Sequence, residues 1–187
     1  MRKIIVTEFM TLDGVIEAPG GEPTHPHAAW SFDFGSPGYY EYKVAELFGV
    51  EALLLGKKTY EGFAAAWPGR TDEAGYADRI NKMPKYVVST TLQQADWSPT
   101  HILRDVAKDV GALKQTGEGD ILVFGSGSLV KGLLQHQLVD ELRLMIHPVT
   151  IGGGLGIFPQ GREKQRWSLK QSKEIDNGVL ILEYAIS

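Results

Sequence analysis

The sequence predicts an α/β fold: a mixed, mostly parallel central sheet, flanking helices and a C-terminal antiparallel hairpin. Three observations predict it. Short runs rich in Val, Ile and Leu alternate with segments of helical periodicity, the pattern of strands joined by crossover helices. Near the end, Asp176-Asn177-Gly178 separates two strand-like segments, and Asn and Gly tolerate the positive φ of a hairpin turn. The 187 residues are 43% hydrophobic and 22% charged, which suits a single packed domain over residues 1–187.

Lys3 to Phe9 is rich in β-branched residues and reads as the first strand. Asp13 to Gly35 is a Gly-, Pro- and His-rich loop, and loops that long in a compact domain are often functional. Ser36-Pro37 starts a helix, and Tyr40, Val44 and Leu47 share one face of it. Glu51 to Leu55 is a strand ending at Gly56, followed by a helix from Lys57 to Ala65. Asp72 caps a helix with Tyr76 and Ile80, stopped by Pro84. Tyr86 to Val88 is a strand that ends in Ser89-Thr90-Thr91, and Ile102-Leu103 is a smaller one. Asp105 caps a helix with Val106, Val110 and Leu113 inside, closed by Gly117. Ile121 to Phe124 is a buried strand, and Gly125-Ser126-Gly127-Ser128 turns it into a helix striped with Leu129, Val130, Leu133, Leu134 and Leu138. Glu141 to His147 is a strand closed by Pro148. Trp167 to Lys173 and Val179 to Tyr184 form the hairpin.

Composition narrows the chemistry. With no cysteine, the chain has no disulfide scaffold, zinc-thiolate site, cysteine-ligated cluster or thiol nucleophile. A net charge of -4 gives no global field for nucleic acid or an anionic membrane, so neither is expected as a partner. Glu8 interrupts the first apolar run too early for a signal peptide, and no run approaches the roughly 20 apolar residues of a bilayer span. The expected location is the cytoplasm. His25 and His27 lack a third ligand at regular spacing, so no metal is expected.

Three strand-to-helix junctions share one trait. Gly56-Lys57-Lys58-Thr59, Ser89-Thr90-Thr91 and Gly125-Ser126-Gly127-Ser128 each follow an apolar strand. Ligands of open α/β sheets bind outside the carboxyl ends of strands. Helix N-termini there offer unpaired N–H groups to phosphate, glycine permits close approach, and the lysines add charge. Neither the Rossmann glycine fingerprint nor a Walker A pattern is present: Val130 stands where the third Rossmann glycine would be.

These motifs, in this order, resemble the dihydrofolate-reductase-like superfamily. Leu54-Leu55-Gly56-Lys57-Lys58-Thr59-Tyr60-Glu61 is similar to its hydrophobic-Gly-Arg-x-Thr-aromatic-Glu segment. Val87-Val88-Ser89-Thr90 is similar to its next strand, and Val123 to Val130 to its glycine-rich turn. Thr11-Leu12-Asp13-Gly14 looks like the riboflavin-biosynthesis reductase branch, the RibD C-terminal domain. The resemblance implies a three-layer fold with NADPH across the strand ends. It puts Gly56, Lys57, Lys58 and Thr59 at phosphates and Ser89 and Thr90 by the adenosine 2′-phosphate. Gly125, Ser126, Gly127, Ser128 and Leu129 fall at the pyrophosphate, and Ile16 at the nicotinamide. Lys57 stands where the family has arginine, a point charge in place of a planar fork.

On the substrate side, the carboxylate that folate reductases use falls near Tyr40 and Glu41, and neither matches it cleanly. That favours a ribosylamino-pyrimidine reductase over dihydrofolate reductase. Asp13 is the candidate for a polar substrate contact or proton relay. The implied reaction is NADPH-dependent reduction of a small heterocycle or of an imine or carbonyl attached to one. The alternatives are dihydrofolate reductase and a catalytically silent nucleotide-binding module. The resemblance also implies a homodimer through a sheet edge, with Val179 to Tyr184 as the pairing strand.

Overall fold

The computed structural model describes residues 1–161 and 164–187. In chain order the elements are β1 (Ile4–Thr11), α1 (Pro37–Phe48), β2 (Ala52–Gly56), α2 (Lys57–Ala66), α3 (Tyr76–Lys82), β3 (Lys85–Val88) and β4 (Thr100–Leu103). They continue with α4 (Gly111–Gln115), β5 (Ile121–Phe124), α5 (Gly127–Gln135), β6 (Glu141–His147), β7 (Trp167–Glu174) and β8 (Leu180–Ile186). Eight strands form one sheet in the order β4-β3-β2-β5-β1-β6-β8-β7. The strands from β4 to β6 pair in parallel. β8 runs antiparallel to both β6 and β7.

Helices cover both faces, which makes three layers. On one face Ile4, Val6, Leu54 and Val123 pack against Val110 and Leu113 and against Leu129, Val130 and Leu133 of α5. On the other, Ile5, Leu53, Leu55 and Leu122 meet Leu47 of α1, Tyr60 of α2 and Ile80 of α3. Being covered twice explains why β2 and β5 are unbroken apolar runs, buried at every residue.

The local signals act as their chemistry requires. The Ser36 hydroxyl accepts from the Tyr39 N–H at 3.1 Å, with Pro37 in the first turn of α1. Asp72 accepts from the Tyr76 N–H at 3.0 Å and from the Ala77 N–H, ahead of α3. Asp105 accepts from the Lys108 N–H at 2.7 Å, but the turn it opens, Val106–Val110, is π-helical and becomes α-helical only at α4. Asn177 and Gly178 take φ of 60° and 73° in the hairpin.

Two expectations are corrected. The buried side of α1 carries Lys43, Glu46 and Leu47, while Tyr40 is 43% exposed. Lys43 and Glu46 neutralise each other as an ion pair, so a charged stripe could turn inward. The second correction concerns the sheet edge. β8 is hydrogen-bonded on both sides, so the free edges belong to β4 and β7. Among the described residues, no helix is long and apolar enough to cross a membrane.

Candidate active site

β1 outruns its neighbour. It pairs with β5 only through Thr7 but with β6 through Thr11. Past Thr7, one side of β1 has no strand partner. A cleft of about 470 Å³ opens there, at the carboxyl ends of the strands. Thr7, Glu8 and Phe9 of β1, the first loop, Lys43, Lys58 and Thr59, and Phe124 to Gly127 line it.

One end of the cleft is built from two helix starts. Ser126 sits in the left-handed region at φ 63°, a conformation that needs the chain to hold it there. Its hydroxyl accepts from the Gly56 N–H at 3.1 Å and meets the Thr59 hydroxyl at 2.6 Å. It therefore ties the two junctions together and does not cap its own helix. Gly56 must be glycine here, because a Cβ would lie 2.4 Å from that hydroxyl. No side chain caps α2 either. Two helix N-termini, a hydroxyl pair and the Lys58 ammonium thus converge on one cleft. This donor set fits the phosphates of a dinucleotide.

The sequence-nominated cofactor residues divide by position. Ile16, Lys58, Thr59, Gly125, Ser126 and Gly127 line the cleft. Gly56 joins them through Ser126. Lys57 does not line it; its ammonium donates to the Thr91 hydroxyl at 3.2 Å and lies 3.7 Å from Glu61. Ser128 is exposed on the first turn of α5, and Leu129 is buried in the core behind it. Ser89 is buried and accepts from the Leu92 N–H at 2.9 Å, which shapes its loop; Thr90 is exposed beside it. Neither lines the cleft.

The nominated acceptor residues lie outside the cleft. The Asp13 carboxylate accepts from the Thr11 hydroxyl and from the N–H groups of Ile151 at 3.1 Å and Gly152 at 2.8 Å. Those bonds, the Thr11 hydroxyl's foremost, hold its carboxyl below the usual carboxylate range. Asp13 thereby fastens the first loop to the Gly152-Gly153-Gly154 loop. Tyr40 donates to Asp72 at 2.8 Å, and burial first and then this partner push its phenol up to about 12. Glu41 is exposed on α1.

Other groups stand in the cleft instead. Lys43 donates to the Thr7 hydroxyl at 3.1 Å, pairs with Glu46 and lies 4.6 Å from the Phe124 ring centroid. Glu8 is 5% exposed, and its Oε1 has no hydrogen-bond partner among the described residues. Burial, opposed in part by the Lys43 ammonium, pushes its carboxyl up to about 8. The sequence carried a signal for Glu8: one acid inside a strand otherwise reading as fully buried, a placement that charge avoids without cause. In the sequence it stands out only as the interruption of the first apolar run. Lys43 and Glu46 gave a weaker signal, since an i, i+3 pair reads first as a solvated helix face.

The sequence matches the RibD C-terminal domain model over residues 2–181. The uncharacterized protein YyaP of Bacillus subtilis is 27% identical over 186 residues, 98% of this chain and 94% of that one. Among solved structures, a Shewanella sp. PV-4 protein named for riboflavin biosynthesis superposes with TM-score 0.75 at 18% identity, covering 99% of both chains. Dihydrofolate reductase from Enterococcus faecalis, complexed with NADP(H) and RAB-propyl, superposes with TM-score 0.63 at 15% identity, covering 99% of this chain and 96% of that one. The fold is thus the dihydrofolate-reductase-like one, and the chain belongs to the RibD C-terminal domain family.

Proposed function

We propose that the protein is an NADPH-dependent reductase of a small heterocyclic or ribosylamino-pyrimidine-type substrate. The observation that carries the reading is the convergence of two helix N-termini without side-chain caps and Lys58 on one cleft that also presents the apolar side chains of Ile16, Phe9 and Phe32. In this reading Lys58, the first-turn N–H groups of α5 and the Thr59 hydroxyl hold the phosphates. Ile16, buried against Gly127, bounds the nicotinamide end; a Cβ on Gly127 would approach its Cδ1 to 3.1 Å. Phe9 and Phe32 line the cleft and offer aromatic rings to a flat acceptor. When bound, NADPH supplies the hydride, and the protein supplies position and electrostatics.

The reading favours a ribosylamino-pyrimidine over dihydrofolate. The acid on the buried face of α1 is Glu46, which is already committed to Lys43. Titration with NADPH and NADH, followed by nicotinamide fluorescence, tests the cofactor. NADPH binding more tightly than NADH is expected, and no binding of either overturns the reading. Oxidation of bound NADPH is then followed across ribosylamino-pyrimidines and dihydropterins. Binding without oxidation by any of them makes the protein a nucleotide-binding module, and turnover of dihydrofolate moves it to the folate reductases.

A further inference from the structure

Reduction of a C=N or C=O bond needs a proton as well as a hydride, and Asp13 is tied up outside the cleft. Glu8 differs in both place and state. It lines the cleft from β1, in the stretch next to the missing strand partner. Its Oε2 lies 3.8 Å from where a side chain would begin on Gly125, so the carboxyl faces bare backbone at the β5–α5 turn. Its Oε1 makes no hydrogen bond among the described residues.

The charged and titratable groups around it come from three elements. From α1 come Lys43 and its partner Glu46; from α2 comes Lys58; from the first loop come Glu17, whose carboxylate accepts from the Leu155 N–H at 3.1 Å, and Glu22, whose carboxylate accepts from the Gly20 N–H at 2.9 Å. Lys43 is the one buried cation of the set; it pairs with Glu46, whose other carboxylate oxygen lies 3.8 Å from Arg143 of β6. A carboxylate at Glu8, 5% exposed, would be poorly hydrated and would have no uncommitted cation beside it, so the acid form is favoured.

We propose that Glu8 is the catalytic acid of this cleft and gives its proton to the nitrogen of a neutral C=N acceptor. The proposal rests on the reductase reading above. Hydride addition forms a C–H bond at the imine carbon and sends the π pair to nitrogen. The nitrogen takes the Glu8 proton, so C=N becomes CH–NH. NADPH, when bound, would supply the hydride and leave as NADP⁺, and Glu8 is left as a carboxylate that solvent reprotonates once the product departs. An acid with its proton in place near the working pH is what such a transfer needs. Unlike the folate-reductase carboxylate, which the resemblance places on the helix after the first loop, this one comes from the first strand.

The test has a readout that needs no turnover. In protein labelled with carboxyl-¹³C glutamate, the resonance lost in Glu8→Gln is followed from about pH 4 to 10. Titration near pH 8 is expected; titration in the ordinary glutamate range overturns the proposal. NADPH oxidation is then measured with 3,4-dihydroisoquinoline as the imine probe. The wild type should oxidise NADPH at a rate that is flat below about pH 8 and falls above it. Glu8→Gln should lose about 100-fold or more in rate with NADPH affinity within twofold, and Glu8→Asp should recover part of it. An equal rate in Glu8→Gln, or no oxidation by a wild type that binds NADPH, overturns the acid and leaves the cofactor reading standing. Failure to bind NADPH overturns the cofactor reading itself, while the titration still decides the state of Glu8.

Discussion

Two adjacent lysines show what a single residue position decides. Lys57 and Lys58 are chemically alike, yet Lys58 lines the cleft while Lys57 is tethered to Thr91 and Glu61. Lys58→Ala should therefore weaken NADPH about tenfold and NADH less, whereas Lys57→Ala should change either by less than threefold, measured by fluorescence titration at fixed salt. A tenfold change corresponds to about 1.4 kcal/mol, a reasonable value for one charge-assisted phosphate contact. Equal weakening of both cofactors by Lys58→Ala would remove the preference for the 2′-phosphate. The sequence motif was enough to nominate the pair but not to choose between them. That choice depends on the phase of α2, which begins at Lys57 only because Gly56 can approach the Ser126 hydroxyl. Helix phase likewise explains the neighbours of Tyr40. Apolar spacing nominated Tyr40, whereas the ion pair of Lys43 and Glu46 let polar residues occupy the inner face.

Elements were legible wherever their signals were local. Gly117 and Gly178 take positive φ, and Ser36, Asp72 and Asp105 cap, where their chemistry indicated, because a turn or a cap is satisfied within a few residues. What joins one element to another was not legible. Lys85 is the clearest case. It stands just before the strand read from Tyr86 to Val88, where the sequence gives it no role, yet it begins β3 and is 0% exposed. Its ammonium donates to the carbonyls of Ile80 at 3.1 Å, Asn81 at 2.8 Å and Met83 at 2.9 Å, and lies 4.3 Å from the Trp97 ring centroid. β3 thus caps the C-terminus of α3 with a buried cation at the negative end of the helix. Lys85→Met keeps the length of the side chain and leaves those carbonyls without their donor. The expected cost is about 3 kcal/mol, on the scale of unsatisfied buried acceptors, and a Tm lower by about 6–12 °C. Calorimetry of the two proteins at pH 7 checks this. A variant as stable as the wild type would show that the three bonds only offset the burial of the charge.

At the scale of the whole molecule, the cleft imposes a stability cost, and its pH dependence has a definite sign. Glu8 titrates near its ordinary value of 4.5 in the unfolded chain and near 8 in the folded one. Between those values the folded state holds a proton that the unfolded state has lost. Stability from this group is full below about pH 4.5, falls as pH rises, and is gone once the folded carboxyl ionises near 8. The slope is about 1.4 kcal/mol per pH unit where only the folded state is protonated. His147 acts in the opposite sense. Burial lowers its imidazole below 6.5, so the unfolded chain binds that proton first and stability drops as pH falls through this range. The two effects overlap, and the wild type alone would show a shallow optimum. The difference between wild type and Glu8→Gln isolates the first, since His147 is common to both. In urea unfolding at successive pH values, Glu8→Gln should gain on the wild type steadily from about pH 5 to 8 and hold a constant margin above that. A margin that does not grow with pH would mean that the folded carboxyl is already ionised. In that case burial in this cleft would be compensated by Lys43 more fully than the Lys43–Glu46 pairing allows.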